Sequence, residues 1–109
     1  MSLPVIHRLG ALPADLAAET FTELARGSAF RLEHIVSGDH ASAADQWYDQ
    51  ASDEWAVLLT GRATLEFERG VLQLEAGDAV LIPAHLRHRV AASARACWLA
   101  LHFTSFTPG

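Results

Sequence analysis

Two ionisable residues stand beside two of the apolar stretches of this chain. Glu54 opens Glu54-Trp55-Ala56-Val57-Leu58-Leu59-Thr60-Gly61, and His88 follows the run from Gly77 to Ile82 and the loop Pro83-Ala84-His85-Leu86-Arg87. Proline has no amide hydrogen for a neighbouring strand, so the chain leaves the sheet near Pro83 and re-enters it at about His88. Gly61-Arg62 is expected to close the Glu54 stretch into a hairpin, because glycine reaches the positive φ of tight turns. If both stretches belong to one barrel, a carboxylate and an imidazole can meet inside it.

Side-chain alternation groups Glu54 with Ala56 and Leu58, opposite Trp55, Val57 and Leu59. A carboxylate aimed into an apolar barrel must be hydrogen-bonded, paired or metal-bound. The alternative is an exposed acidic turn shared with Asp53. His34 lies on one face with Phe30, Leu32 and Val36, and His102 on one with Trp98 and Ala100. Each either points into the barrel or is a core histidine bonded to a carbonyl or water. Arg87 and Arg89 alternate away from His88 and read as a surface pair or as dimer contacts, ahead of substrate clamps. Cys97, the single cysteine, sits in the apolar run from Ala96 to Phe103 and behaves as a small hydrophobe. No serine or cysteine stands in a nucleophile elbow and no glycine-rich loop leads into a helix, so hydrolase and nucleotide-binding readings lack support.

The elements that must position these groups are mostly strands. Phe30 to Val36 alternates with period two, as does Arg62 to Glu68, where Ala63, Leu65 and Phe67 share a face. Gln46–Gln50, Val71–Leu74, Ala79–Ile82, His88–Ala91 and Ala96–Phe103 complete roughly eight short strands, a pattern of all-β sandwiches and barrels. Residues 3–28 differ. Residues 3–9 read as an outer strand. Leu12 to Arg26 has a helical period, with Leu16, Phe21 and Leu24 on one broad face, Asp15 or Thr20 as cap and Gly27 as stop. A single domain over residues 1–109 is expected, with the barrel at 29–104.

The 109 residues suffice to bury a core, and the formal net charge of −5 gives no attraction to nucleic acid or anionic lipid. No apolar run reaches the ~20 residues of a membrane span, and Met1-Ser2-Leu3-Pro4 does not resemble a secretory signal, so a cytoplasmic location is expected. All 8 cationic side chains are arginines, and lysine and asparagine, both with A-rich codons, are missing, which points to a GC-rich bacterial genome.

From Gly38 to His102 the chain resembles a small single-domain cupin. Gly77, Pro83 and His88 fall at the spacing of the second cupin motif, with His85 in place of a glycine and Ala92 in place of an asparagine. Glu54 and Gly61 fall at the spacing of the first motif. Its two histidines are replaced by Tyr48 and Gln50, or with one more residue by Trp47 and Asp49.

The resemblance implies an antiparallel jelly-roll barrel, here with a short N-terminal helix, and a homodimer, for which Trp47 or Trp55 would serve. It implies a divalent metal such as iron, zinc, nickel or manganese, held here by Glu54 and His88 with Gln50 as a weak third donor, and completed by Gln50, His34 or His102 in an enzyme. Tyr48, Gln50, His34 and His102 are the expected pocket lining. Three functions stay open: a barrel that binds a small polar or carboxylate-bearing molecule, a metal-dependent dioxygenase, isomerase or lyase, and a structural or interaction protein with a filled barrel.

Overall fold

The computed structural model describes residues 3–14, 19–42 and 45–104. Their secondary structure is all β, in six strands: β1 Thr20–Arg26, β2 Phe30–Gly38, β3 Asp53–Phe67, β4 Gly70–Glu75, β5 Ala79–Ile82 and β6 His88–Phe103. They form one antiparallel sheet of jelly-roll type, in the order β1-β2-β6-β3-β4, with β5 also on β3. The two halves of β3 therefore have different outer neighbours. Glu54 to Val57 pair with β5, and Arg62 to Phe67 pair with β4, while β6 runs along the inner edge of both.

The local punctuation acts largely as its chemistry requires. Pro83 follows the last residue of β5, and His88 opens β6. Gly61 does something different from the expected hairpin. The chain runs through it without reversing, in a bulge against β6 that shifts the register between Thr60 and Arg62. Gly61 has a φ of 75°, and a Cβ there would run into the carbonyl oxygens of Ala94 and Arg95. One extra residue in a strand exchanges its two faces. Before the bulge the buried residues are Glu54, Ala56 and Leu58; after it they are Ala63 and Leu65. The expected break at 92–95 is likewise internal to β6, where Arg95 takes a φ of 49°.

The N-terminal expectations need correction. No strand forms in residues 3–9, and the C-terminal half of the expected helix is β1, paired with β2 from Thr20↔Val36 to Arg26↔Arg31. Thr20-Phe21-Thr22 has the β-branched and aromatic composition that suits a pleated surface, and the open edge of β2 supplies the hydrogen bonds, which overrides a weak helical period. Asp15 and Leu16 lie outside the described residues. Residues 46–50 make a single bridge, Tyr48↔His88, instead of a strand.

The core contains Leu58, Ala96 and Ala100, all fully buried, with Ala56, Leu65, Leu74, Ile82 and Trp98 around them. Ala56 and Ala100 are direct partners on β3 and β6. Ala56, a small residue, borders the cavity beside Glu54 and His102. No helix among the described residues is long and apolar enough to cross a membrane.

Because Gly61 combines a left-handed backbone with a blocked Cβ position, Gly61→Ala is expected to destabilise the fold by about 2–3 kcal/mol, read as a lowered urea midpoint at unchanged slope. A substitution that leaves the midpoint within error would remove the bulge from its place in the fold.

Candidate functional site

The inner faces of the strands border a half-open cavity of about 240 Å³. It holds the residues singled out in the sequence, with one exception. Glu54 on β3 is the direct partner of His102 on β6, and His102 is the partner of Arg31 on β2. Three ionisable side chains thus occupy one row across three strands, with Cβ atoms about 5 Å apart from one strand to the next. His88, at the other end of β6, reaches the same cavity because β6 carries its even-numbered residues inward at both ends, from His88 and Val90 to Trp98 and His102.

Glu54 and His88 do meet. The His88 Nε2 lies 3.9 Å from Glu54 Oε1, and the two side chains are 7% and 10% exposed. Nδ1 of His88 lies 2.9 Å from the Leu86 carbonyl oxygen. A carbonyl only accepts, so Nδ1 carries the proton, and in the neutral ring Nε2 is left with its lone pair turned to the cavity. At 3.9 Å the pair is too far apart for a direct hydrogen bond. No hydrogen bond from another described residue reaches the Glu54 carboxylate, and since no buried side-chain polar atom among them lacks a partner, its oxygens face the cavity rather than a closed interior.

His102 is engaged differently. Its Nε2 donates to Glu33 Oε1 at 2.8 Å, and the Arg31 guanidinium approaches the same oxygen at 3.5 Å. A third carboxylate, Glu19, sits just ahead of β1 and accepts from Ser37 Oγ at 2.8 Å and from the Tyr48 hydroxyl at 3.4 Å. Tyr48 packs its ring 5.6 Å from that of His88, centroid to centroid. Burial, then the charge and hydrogen bond of Glu19, then the charge of Glu54, push the phenol above its ordinary value.

His34 is the exception. It faces the opposite side of β2, where its Nε2 lies 2.8 Å from both the Leu9 carbonyl oxygen and Cys97 Sγ. The inward face of β2 is the more polar one, Arg31, Glu33, Ile35 and Ser37. Sequence reasoning passed over Arg31, Glu33 and Glu19. The signal for the first two was present: two charged residues alternate with Phe30 and Leu32, and a face shared by Ile35 and two charges suits a polar cavity.

The loop carrying Tyr48 and Gln50 is fixed at several points. Tyr48 exchanges backbone hydrogen bonds with His88, and the Gln50 carbonyl accepts from the His85 amide at 2.7 Å. His85 occupies a position with a φ of 64°, and its Nδ1 is 2.8 Å from Asp49 Oδ1. On the outer side Arg87 and Arg89 lie over the Trp47 ring, 5.4 and 6.0 Å from its centroid, while pairing with Glu68 and Glu66. Trp47 is therefore used within the chain, clamping the loop.

Residues 32–102 match the family model described as Cupin domain. The chain is a cupin. Its structure superposes at a TM-score of 0.87 and 33% identity, over 94% of this chain and 100% of the other, on a Ralstonia eutropha JMP134 protein bearing the name "putative mannose-6-phosphate isomerase". A cupin superfamily protein of Desulfitobacterium hafniense DCB-2 superposes at 0.74 and 20% identity, over 94% and 95% of the two chains. No curated protein matches this cupin.

A resident first-row divalent ion needs about three protein donors. In this cupin Glu54 and His88 supply two, and Gln50 lines the same cavity. The other imidazole lining the cavity, His102, has its Nε2 committed to Glu33, and no group of three or more His, Cys, Asp or Glu among the described residues is gathered to hold a metal. This donor set does not fit a tightly held ion.

Two predictions follow from the geometry. Elemental analysis of untagged protein after dialysis against iron, zinc, nickel or manganese is expected to find well under one equivalent of any of them; near-stoichiometric metal lost from both Glu54→Ala and His88→Ala would reverse the assignment. The chain has 1 tyrosine, so phenolate absorbance reports Tyr48 alone. Its folded pKa is raised, so its contribution to stability is complete below about pH 10, the unfolded value, and is lost as pH rises through the folded one. The expected titration of native protein lies to higher pH than that of urea-unfolded protein, and coincident curves would contradict it.

Proposed function

We propose that this cupin binds a small polar molecule in its interior, between the Glu54–His88 pair and the Glu33–His102 pair, without a resident metal. The observation that carries the reading is the buried carboxylate of Glu54, 3.9 Å from an imidazole nitrogen with its lone pair free and without a described donor of its own. Burying such a group costs stability, and a fold under no functional demand would fill the position with an apolar side chain. The cavity beside it also weighs against a filled barrel.

A second reading is supported by the same pair. A carboxylate and a histidine Nε2 facing one cavity can remove a proton from a bound molecule at one atom and return it at another, the requirement of an isomerase or lyase that works by proton transfer. Similarity to the Ralstonia protein named for an isomerase agrees with this. As to assembly, Trp55 and Leu81 are direct partners on β3 and β5, 41% and 58% exposed, and support a homodimer through that outer face.

Glu54→Gln removes a buried charge and keeps the shape. It is expected to leave unfolding stability unchanged or raise it by up to about 1 kcal/mol, while removing the thermal stabilisation that small polar ligands give the wild type. A loss of stability comparable to that of a core truncation, about 2 kcal/mol or more, would make Glu54 a structural residue and count against the reading.

A further inference from the structure

The charges around the cavity are unbalanced. Its lining includes three carboxylates, Glu19, Glu33 and Glu54, against one arginine, Arg31, and the two imidazoles of His88 and His102. The arginine is 44% exposed and already leans on Glu33. With neutral histidines the formal charge of the lining is 3 negative and 1 positive, or −2.

The hydrogen-bond inventory leans the same way. Ser37 and Tyr48 direct their hydroxyls to Glu19, and His102 directs Nε2–H to Glu33. These three side-chain donors of the wall are thus spent on its own carboxylates. Backbone amides add little, because the walls are strands whose N–H groups serve the ladders, and no helix N-terminus among the described residues opens on the cavity. The donors that remain are the Arg31 guanidinium, the Gln50 side-chain amide and the Trp98 indole, and the acceptors are Glu54 Oε1 and Oε2, the Nε2 lone pair of His88 and the side-chain oxygen of Gln50. Glu54 is the decisive group, since its side chain is 10% exposed and no described donor satisfies it. An N–H group placed between Glu54 and His88 would reach both acceptors.

We propose, on the reading that the cavity is a ligand site, that its ligand is a small organic cation bearing an ammonium group, and that phosphate- and carboxylate-bearing molecules are rejected. The ammonium donates to Glu54 and His88 Nε2, and its positive charge is balanced by the excess of carboxylates. The aromatic faces of Tyr48 and Phe21 on the wall suit the adjoining carbon frame or the cation itself. A phosphate in the same place would meet Glu54 and Glu33 with a single exposed guanidinium to offset them. This cupin would then differ in substrate class from the sugar phosphate named for its Ralstonia relative.

Three probes on one carbon frame separate the possibilities: 1-amino-1-deoxysorbitol, sorbitol and sorbitol 6-phosphate, titrated at pH 7.5 into 15N-labelled wild type and Glu54→Gln, with amide shifts of the lining strands as readout. The amine is expected to bind at least about tenfold tighter than sorbitol, as for a charge-assisted hydrogen bond, and the phosphate more weakly than sorbitol. Glu54→Gln is expected to remove the amine's advantage, weakening the amine by at least about tenfold more than it weakens sorbitol. Phosphate binding as tight as the amine's, or an advantage that survives Glu54→Gln, overturns the charge selection while the cavity remains a ligand site. No movement of the lining amides by any of the three overturns both.

Discussion

Everything in the cavity depends on the long antiparallel ladder between β3 and β6 and on the change of face it undergoes at Gly61. β3 brings Glu54 inward before the bulge and Leu65 inward after it, and an unbroken alternation would turn one of the two outward. The bulge keeps a charged upper half and an apolar lower half on the same side of one strand. β6 follows with small residues at the crossing, Ala94 and Ala96, where the chains come so close that Gly61 has no space for a Cβ. Glycine is required there by contact and by backbone conformation together.

On this frame the interior combines two economies. Apolar packing of Leu58, Trp98 and the alanines stabilises the barrel, while Ala56, a small residue, borders the volume next to the ionisable row. Most of the polar groups that border the volume are satisfied in pairs: His102 by Glu33, Ser37 and Tyr48 by Glu19, Nδ1 of His88 by Leu86. Such pairing holds side chains in place, which lowers the ordering cost of binding. Glu54 departs from the pattern: no side chain or amide of the described residues donates to it, and since none of their buried side-chain polar atoms is left unpartnered, its oxygens open on the cavity.

The departures from the full cupin pattern acquire a physical meaning in the structure. Tyr48 and Gln50 line the cavity where the first motif would bring histidines, and replace nitrogen donors by a phenol turned toward Glu19 and an amide. His85, in place of a glycine, adopts the left-handed conformation and is held by Asp49 and by the Gln50 carbonyl. The loop is kept while the metal-type donor set is not.

Much of this was legible from residue order alone. Period-two alternation identified β2 and the half of β3 after Gly61, Pro83 the end of β5 and the entry of His88, and the spacing of Glu54, Gly61, Gly77, Pro83 and His88 the cupin fold; those signals are local, and local sterics and hydrogen bonding decide them. Whether Gly61 turns the chain or bulges within a strand was settled only by the carbonyls of Ala94 and Arg95, more than thirty residues away. Thr20–Arg26 became a strand because β2 offered an edge, a partner the helical period could not register. His34 and Glu33 are adjacent on one strand, and alternation shows only that they face opposite ways. Which of the two faces the cavity depended on how the sheet curls, with Leu9 and Cys97 taking the histidine on one side and His102 the carboxylate on the other. Sequence by itself determined the core of β2 and the strands Val71–Leu74 and Ala79–Ile82, and brought forward the pair Glu54 and His88; the charge of the cavity was decided by tertiary structure, because it is a sum over residues brought together from four separate parts of the chain.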